Sequence, residues 1–103
     1  MKQILIEKFL EPSEIKILGD FVREFWIDKY GDLHSFMNHP SYISHKSGKI
    51  ITKLWHKKGF RHRDRNLPNT ITFDYSYHTT ITEFWRDING TVLKAKTYKI
   101  NKY

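Results

Sequence analysis

The chain has 103 residues, no cysteine and a net charge of +7, with 39% hydrophobic and 16% aromatic residues. That length holds one core, the aromatic content is too high for a disordered tail, and the lack of cysteine excludes disulfides and thiolate zinc sites. No stretch reaches the roughly 18 apolar residues of a membrane helix. Met1 to Leu10, interrupted by Glu7 and Lys8, lacks the apolar core of a signal peptide, so no membrane contact and a cytoplasmic setting are expected.

Beyond that opening segment the chain is periodic. Pro12, Pro40 and Pro68 stand 28 residues apart, each followed three residues later by an isoleucine: Ile15, Ile43 and Ile71. Such a period is the mark of a repeat architecture. In the first unit, about 12–39, a strand after Pro12 leads through Gly19-Asp20 to Val22-Arg23-Glu24-Phe25-Trp26, then to Gly31 and His34. Proline is tolerated at the first residue of a strand, where no ladder hydrogen bond is lost. The same stretch also carries helical spacing at Ile15, Leu18, Phe21, Val22 and Phe25 behind Ser13-Glu14, so a short N-terminal helix over about 13–29 is the alternative. Gly19-Asp20 in its middle favours strands.

The second unit, about 40–67, repeats the order: Ile43, a turn at Ser47-Gly48, Ile51-Thr52-Lys53-Leu54-Trp55, then Gly59 and His62. The third, about 68–97, has Ile71, a longer turn at Tyr75-Ser76-Tyr77-His78, Ile81-Thr82-Glu83-Phe84-Trp85, and Gly90, but Leu93 where the others have histidine. The segments before each tryptophan are rich in β-branched and aromatic residues, which suit a pleated sheet. The expected fold is all-β: one domain over 1–103, an antiparallel meander of about three 28-residue hairpin units and about seven to nine short strands. Lys94 and Lys96 on the last strand guard an edge.

Strand alternation puts Trp26, Trp55 and Trp85 on one face and Phe25, Leu54 and Phe84 on the other. A single-layer meander has little chain to cover both faces. The expectation is an exposed aromatic face that serves as an interaction surface or a homodimer contact, with Lys2 to Leu10 as the candidate cover for the other.

The run Trp55-His56-Lys57-Lys58-Gly59-Phe60-Arg61-His62-Arg63-Asp64-Arg65-Asn66-Leu67-Pro68 resembles a MORN-like repeat, in which Trp is followed by Gly-x-x-His-Arg, an acidic turn and Pro. The second unit matches best. The first has Ser35 in place of the arginine, and the position after proline, usually alanine, is Ser13, Ser41 and Asn69. The resemblance spans about Glu11 to Leu93 and implies a β-meander from a large tailed phage or a bacterial relative. It brings no activity with it. Small phage proteins of this kind often act against host defence or toxin systems.

Charge locates the candidate binding surface. Residues 1–33 carry a net −2 and residues 34–103 a net +9. The densest stretch supplies Lys46, Lys49, Lys53, Lys57, Lys58, Arg61, His62, Arg63 and Arg65, interleaved with Trp55 and Phe60. Cations neutralise phosphates and aromatic rings stack on unpaired bases. Catalysis is poorly signalled. His56, His62 and Arg61 form a conceivable acid–base trio for a small ribonuclease, but no phosphate loop, nucleophile elbow, H-x-x-x-H or zinc spacing occurs. No metal or other cofactor is expected. The expected role is a non-catalytic binder, a phage-encoded accessory or counter-defence factor that occupies a host nuclease, toxin or defence complex through its basic face. Direct RNA or DNA binding is the alternative, and the ribonuclease is the third reading.

Overall fold

The computed structural model describes residues 11–76 and 78–100. Nine strands follow in order: β1 Glu14–Leu18, β2 Phe21–Phe25, β3 Tyr42–Lys46, β4 Lys49–Leu54, β5 His56–Lys57, β6 Phe60–Arg61, β7 Thr70–Asp74, β8 Thr79–Arg86 and β9 Val92–Ile100. Seven form one antiparallel meander, β1-β2-β3-β4-β7-β8-β9, while β5 and β6 form a separate small hairpin. The only helical turn among the described residues is a 3-10 turn at Phe36–Asn38.

The helix considered for about 13–29 is not formed. Helical spacing there coincides with strand pairing, Ile17 opposite Val22 and Ile15 opposite Glu24, and Gly19 adopts φ +62 to turn the chain between β1 and β2. Left-handed backbone at that position ends any helix and is cheap only for glycine. Cross-strand pairing outweighed the local helical signal.

The same junction bond recurs at all three prolines. The amide of the residue after each proline donates to the carbonyl before the tryptophan: Ser13 to Phe25 (2.7 Å), Ser41 to Leu54 (2.8 Å) and Asn69 to Phe84 (3.1 Å). The tryptophan amides then bond the next junction, Trp26 to Ser41 O (2.8 Å) and Trp55 to Asn69 O (3.0 Å). Trp55 and Trp85 also share an indole partner in equivalent loops, donating Nε1–H to Asn38 O and Asn66 O. Both acceptors sit in left-handed pairs, Met37-Asn38 and Arg65-Asn66, immediately upstream of the proline junctions.

The expected exposed tryptophan ladder is therefore corrected. Trp26 is 3% and Trp55 4% exposed, and Trp85 is half-buried. Each lies at the end of its strand. Trp55 and Trp85 are held under the loop that leads to a proline, and the His39 ring lies 4.6 Å from Trp26. Exposed apolar side chains sit elsewhere, on the outer strands (Ile15, Ile17, Leu18, Tyr98, Ile100) and around the last turns (Phe60, Ile88, Leu93). The cover suggested for Lys2 to Leu10 falls outside the described residues.

After each tryptophan the chain makes a tight turn. Asp28 and Asp87 build identical ones: each carboxylate accepts two amides, from Tyr30 and Asp32 and from Asn89 and Thr91, and Gly31 and Gly90 close them at φ +85. Lys57 stands where the aspartate would be, one residue is missing, and the turn contracts to Lys58-Gly59, both at positive φ. A two-residue turn of that kind matches the twist of a hairpin, which is why β5 and β6 exist. The third copy departs most. Leu93 replaces the histidine, and the chain runs on beside β8 as β9, where β3 lies beside β2 and β7 beside β4.

Candidate nucleic-acid interface

The small hairpin is anchored by a buried polar chain. Arg61 Nε–H donates to His56 Nε2 (3.4 Å), so Nε2 is the unprotonated nitrogen and Nδ1–H donates to Ser41 Oγ (2.7 Å). Ser41, fully buried, passes its hydroxyl proton to Leu54 O (3.1 Å). Arg61 also donates through Nη1 to Thr70 Oγ1 (2.6 Å) on β7. Burial and the Arg61 charge push the His56 pKa down to about 4, so the imidazole is neutral near pH 7.

Serine or asparagine at the position after proline now has a reason. Ser13 bonds both backbone groups of Ile27, Asn69 bonds both backbone groups of Arg86 (2.8 and 3.2 Å), and Ser41 bonds the His56 side chain. Each ties the proline junction to the residue that follows a tryptophan. Alanine could do none of this.

These choices open a groove on one seam and close it on the other. Between the first turn and the small hairpin, Ser35 N donates to His56 O (2.7 Å), Gly59 N to Leu33 O (2.9 Å), and His56 N to Ser35 Oγ (3.0 Å). On the next seam the Arg86 backbone is taken by the longer Asn69 side chain, and no equivalent bonds join the hairpin to the Asp87 turn among the described residues. The seam stands open as a groove of about 460 Å³. Lys57, Lys58, Arg61, Arg63 and Arg86 line it against one carboxylate, Asp87, whose Oδ1 already serves the turn amides of Asn89 and Thr91. Its apolar wall is Phe60, Trp85, Ile88 and Leu93, with Phe60 56% exposed.

The structure divides the basic residues singled out from sequence. Lys57, Lys58, Arg61, His62 and Arg63 come together in the groove with Phe60. Lys46 and Lys49 face each other across the Ser47-Gly48 turn, at the far end of β4. The six residues of that strand separate them from the groove by roughly 20 Å. Lys53 lies over Phe73 (5.9 Å) in the sheet, and Arg65 is exposed in the left-handed loop before Pro68. Trp55 is buried, its face capped by Arg63 at 3.9 Å, and offers no stacking platform. Sequence reasoning missed Arg86, Trp85, Ile88 and Leu93. Their signal was present: arginine after tryptophan and leucine in place of histidine are departures from the other copies.

The three residues of the conceivable acid–base trio are held apart in role. Both ring nitrogens of His56 are hydrogen-bonded, Arg61 is one of its partners, and His62 pairs with Asp64 (2.7 Å) at the surface. Among the described residues no group of three or more His, Cys, Asp or Glu could hold a metal ion, and no helix is long and apolar enough to cross a membrane.

Fold and groove together define a single-sheet β-meander with a cationic, aromatic-walled cleft on one seam. No family model, curated protein or solved structure matches the chain.

Proposed function

We propose that this chain is a non-catalytic binding protein whose groove takes single-stranded nucleic acid. One observation carries the reading: an exposed aromatic ring, Phe60, stands among five Lys/Arg side chains that no ion pair neutralises among the described residues. Phosphates need the cations, and an unpaired base needs an open ring face. A duplex buries its bases and gains only the first of these. Binding is backbone-dominated and weakly selective for sequence, because the groove carries few uncommitted groups able to read a base edge. The resemblance to MORN-like phage proteins suggests the setting, a host cytoplasm in which the bound strand is shielded from, or shared with, a host nuclease or defence complex.

Anisotropy of fluorescently labelled oligonucleotides tests this. The wild type is expected to bind a single strand more tightly than the matching duplex. Its affinity should fall with salt at a log–log slope of about −2 to −3, as for three or four phosphate contacts. The double charge reversal Lys57→Glu with Lys58→Glu should flatten that slope by about one unit per lysine. An acidic host protein is the competing occupant, and it would reveal itself as a partner that survives ribonuclease and deoxyribonuclease treatment while oligonucleotides fail to bind.

A further inference from the structure

Two guanidinium groups meet on the groove floor without a carboxylate between them. Thr70 on β7 and Phe84 on β8 are directly opposed, so their side chains leave the same face of the sheet about 5 Å apart. Arg61 reaches down to Thr70 Oγ1 (2.6 Å), while Arg86 lies over the Phe84 ring at 5.0 Å. The two arginines thus stand side by side over that pair, and both line the groove. They feel each other: the Arg86 charge, after burial, lowers the Arg61 pKa.

Their remaining contacts leave positive charge uncompensated. Arg61 is spent on two neutral groups, His56 and Thr70. Arg86 donates Nη1–H to Gly90 O (2.8 Å), and its buried Nε has no partner among the described residues. Neither arginine has an ion pair within 4.0 Å among the described residues. Half-buried like charges repel and lose hydration, so the arrangement is costly unless an anion joins it. Guanidinium forks match phosphate oxygens, and Arg61 is already oriented by His56 and Thr70.

We propose that Arg61 and Arg86 form a site for one phosphate group, seated beside the apolar wall of Phe60, Trp85 and Ile88. This deepens the function proposed above and rests on it: the phosphate is that of a nucleotide unit whose base lies against the wall. Lys57 and Lys58 at the rim would then supply general attraction, while the arginine pair fixes the register of the strand.

The wild-type protein tests the site without mutation. Inorganic phosphate titrated into protein labelled with nitrogen-15 should shift the Nε–H signals of Arg61 and Arg86 along one saturating curve. Arg86→Gln should weaken single-stranded oligonucleotide binding about tenfold, Arg86→Lys should recover only part of it, and both should melt cooperatively. Linear, non-saturating shifts spread over all cations would overturn the site. So would oligonucleotide affinity unchanged in a folded Arg86→Gln protein, and that result leaves the single-strand function standing. Saturable phosphate binding at the pair with no oligonucleotide binding would instead support the site and defeat the function, making the ligand a small phosphate compound.

Discussion

Ser41 Oγ and His56 Nδ1 lie 2.7 Å apart, both residues buried, and this contact joins the second proline junction to the hairpin that forms one wall of the groove. Replacing His56 with alanine removes a partner from both Ser41 and Arg61. The expected loss is about 2–3 kcal/mol of stability, read by urea denaturation. Ser41→Ala should cost about 1–2 kcal/mol, because it orphans His56 Nδ1.

The depressed His56 pKa adds a pH dependence. In the unfolded chain the imidazole takes up a proton below about 6.5, whereas the folded protein resists protonation until about 4. The unfolded state therefore binds more protons between these values, and stability falls as pH drops from about 6.5 to about 4. Below that window both states are protonated and His56 adds no further slope. The expected loss is on the order of 2 kcal/mol. Denaturant midpoints at pH 7, 5.5 and 4 should show this slope in the wild type and lose it in His56→Gln.

Asn69 holds the backbone N–H and C=O of Arg86 at once. Asn69→Ala should destabilise by about 1–2 kcal/mol and loosen the third turn. Asn69→Ser should retain part of that, since Ser13 serves Ile27 in the same way. Thermal melts of the two variants would separate a loss of hydrogen bonding from a loss of volume.

Arg63 caps Trp55 and donates to Asn38 Oδ1 and Pro68 O, both at 3.0 Å. Arg63→Ala should uncover the indole, giving a red-shifted tryptophan emission and a stability loss of about 1–2 kcal/mol. Any fall in ligand affinity should then exceed what the loss of one exposed cation explains, because the Asn38 and Pro68 loops also relax.

Much of the fold was legible because its signals were periodic. Three prolines and three tryptophans at a common spacing marked equivalent junctions, and the chain carries the same amide bond at Ser13, Ser41 and Asn69. The stretch from Ser13 to Phe25 was ambiguous because Ile15, Leu18, Val22 and Phe25 satisfy both periods, and only pairing with β3 decides between them. Burial of the tryptophans was not legible. Strand parity gives a face, but Trp55 and Trp85 sit past the regular ladder, where the preceding loop folds over them.

The candidate site was half legible. Lys57 to Arg63 stood out as a run, and their convergence follows from a single short hairpin. Lys46 and Lys49, close in sequence, were carried to the opposite end of the sheet because β4 is extended. Arg86, distant in sequence, arrives because β8 lies beside β7 and Asn69 fixes its backbone. Linear charge density cannot report either displacement.

The most direct test of the groove is amide and side-chain chemical-shift mapping with a short single-stranded oligonucleotide at moderate salt. Saturating shifts are expected at Phe60, Arg61, Arg86, Ile88 and Leu93, with Trp85 emission quenched and the Lys46–Lys49 turn silent. Shifts centred on Lys46 and Lys49, or no saturable shift anywhere in the groove, would contradict it.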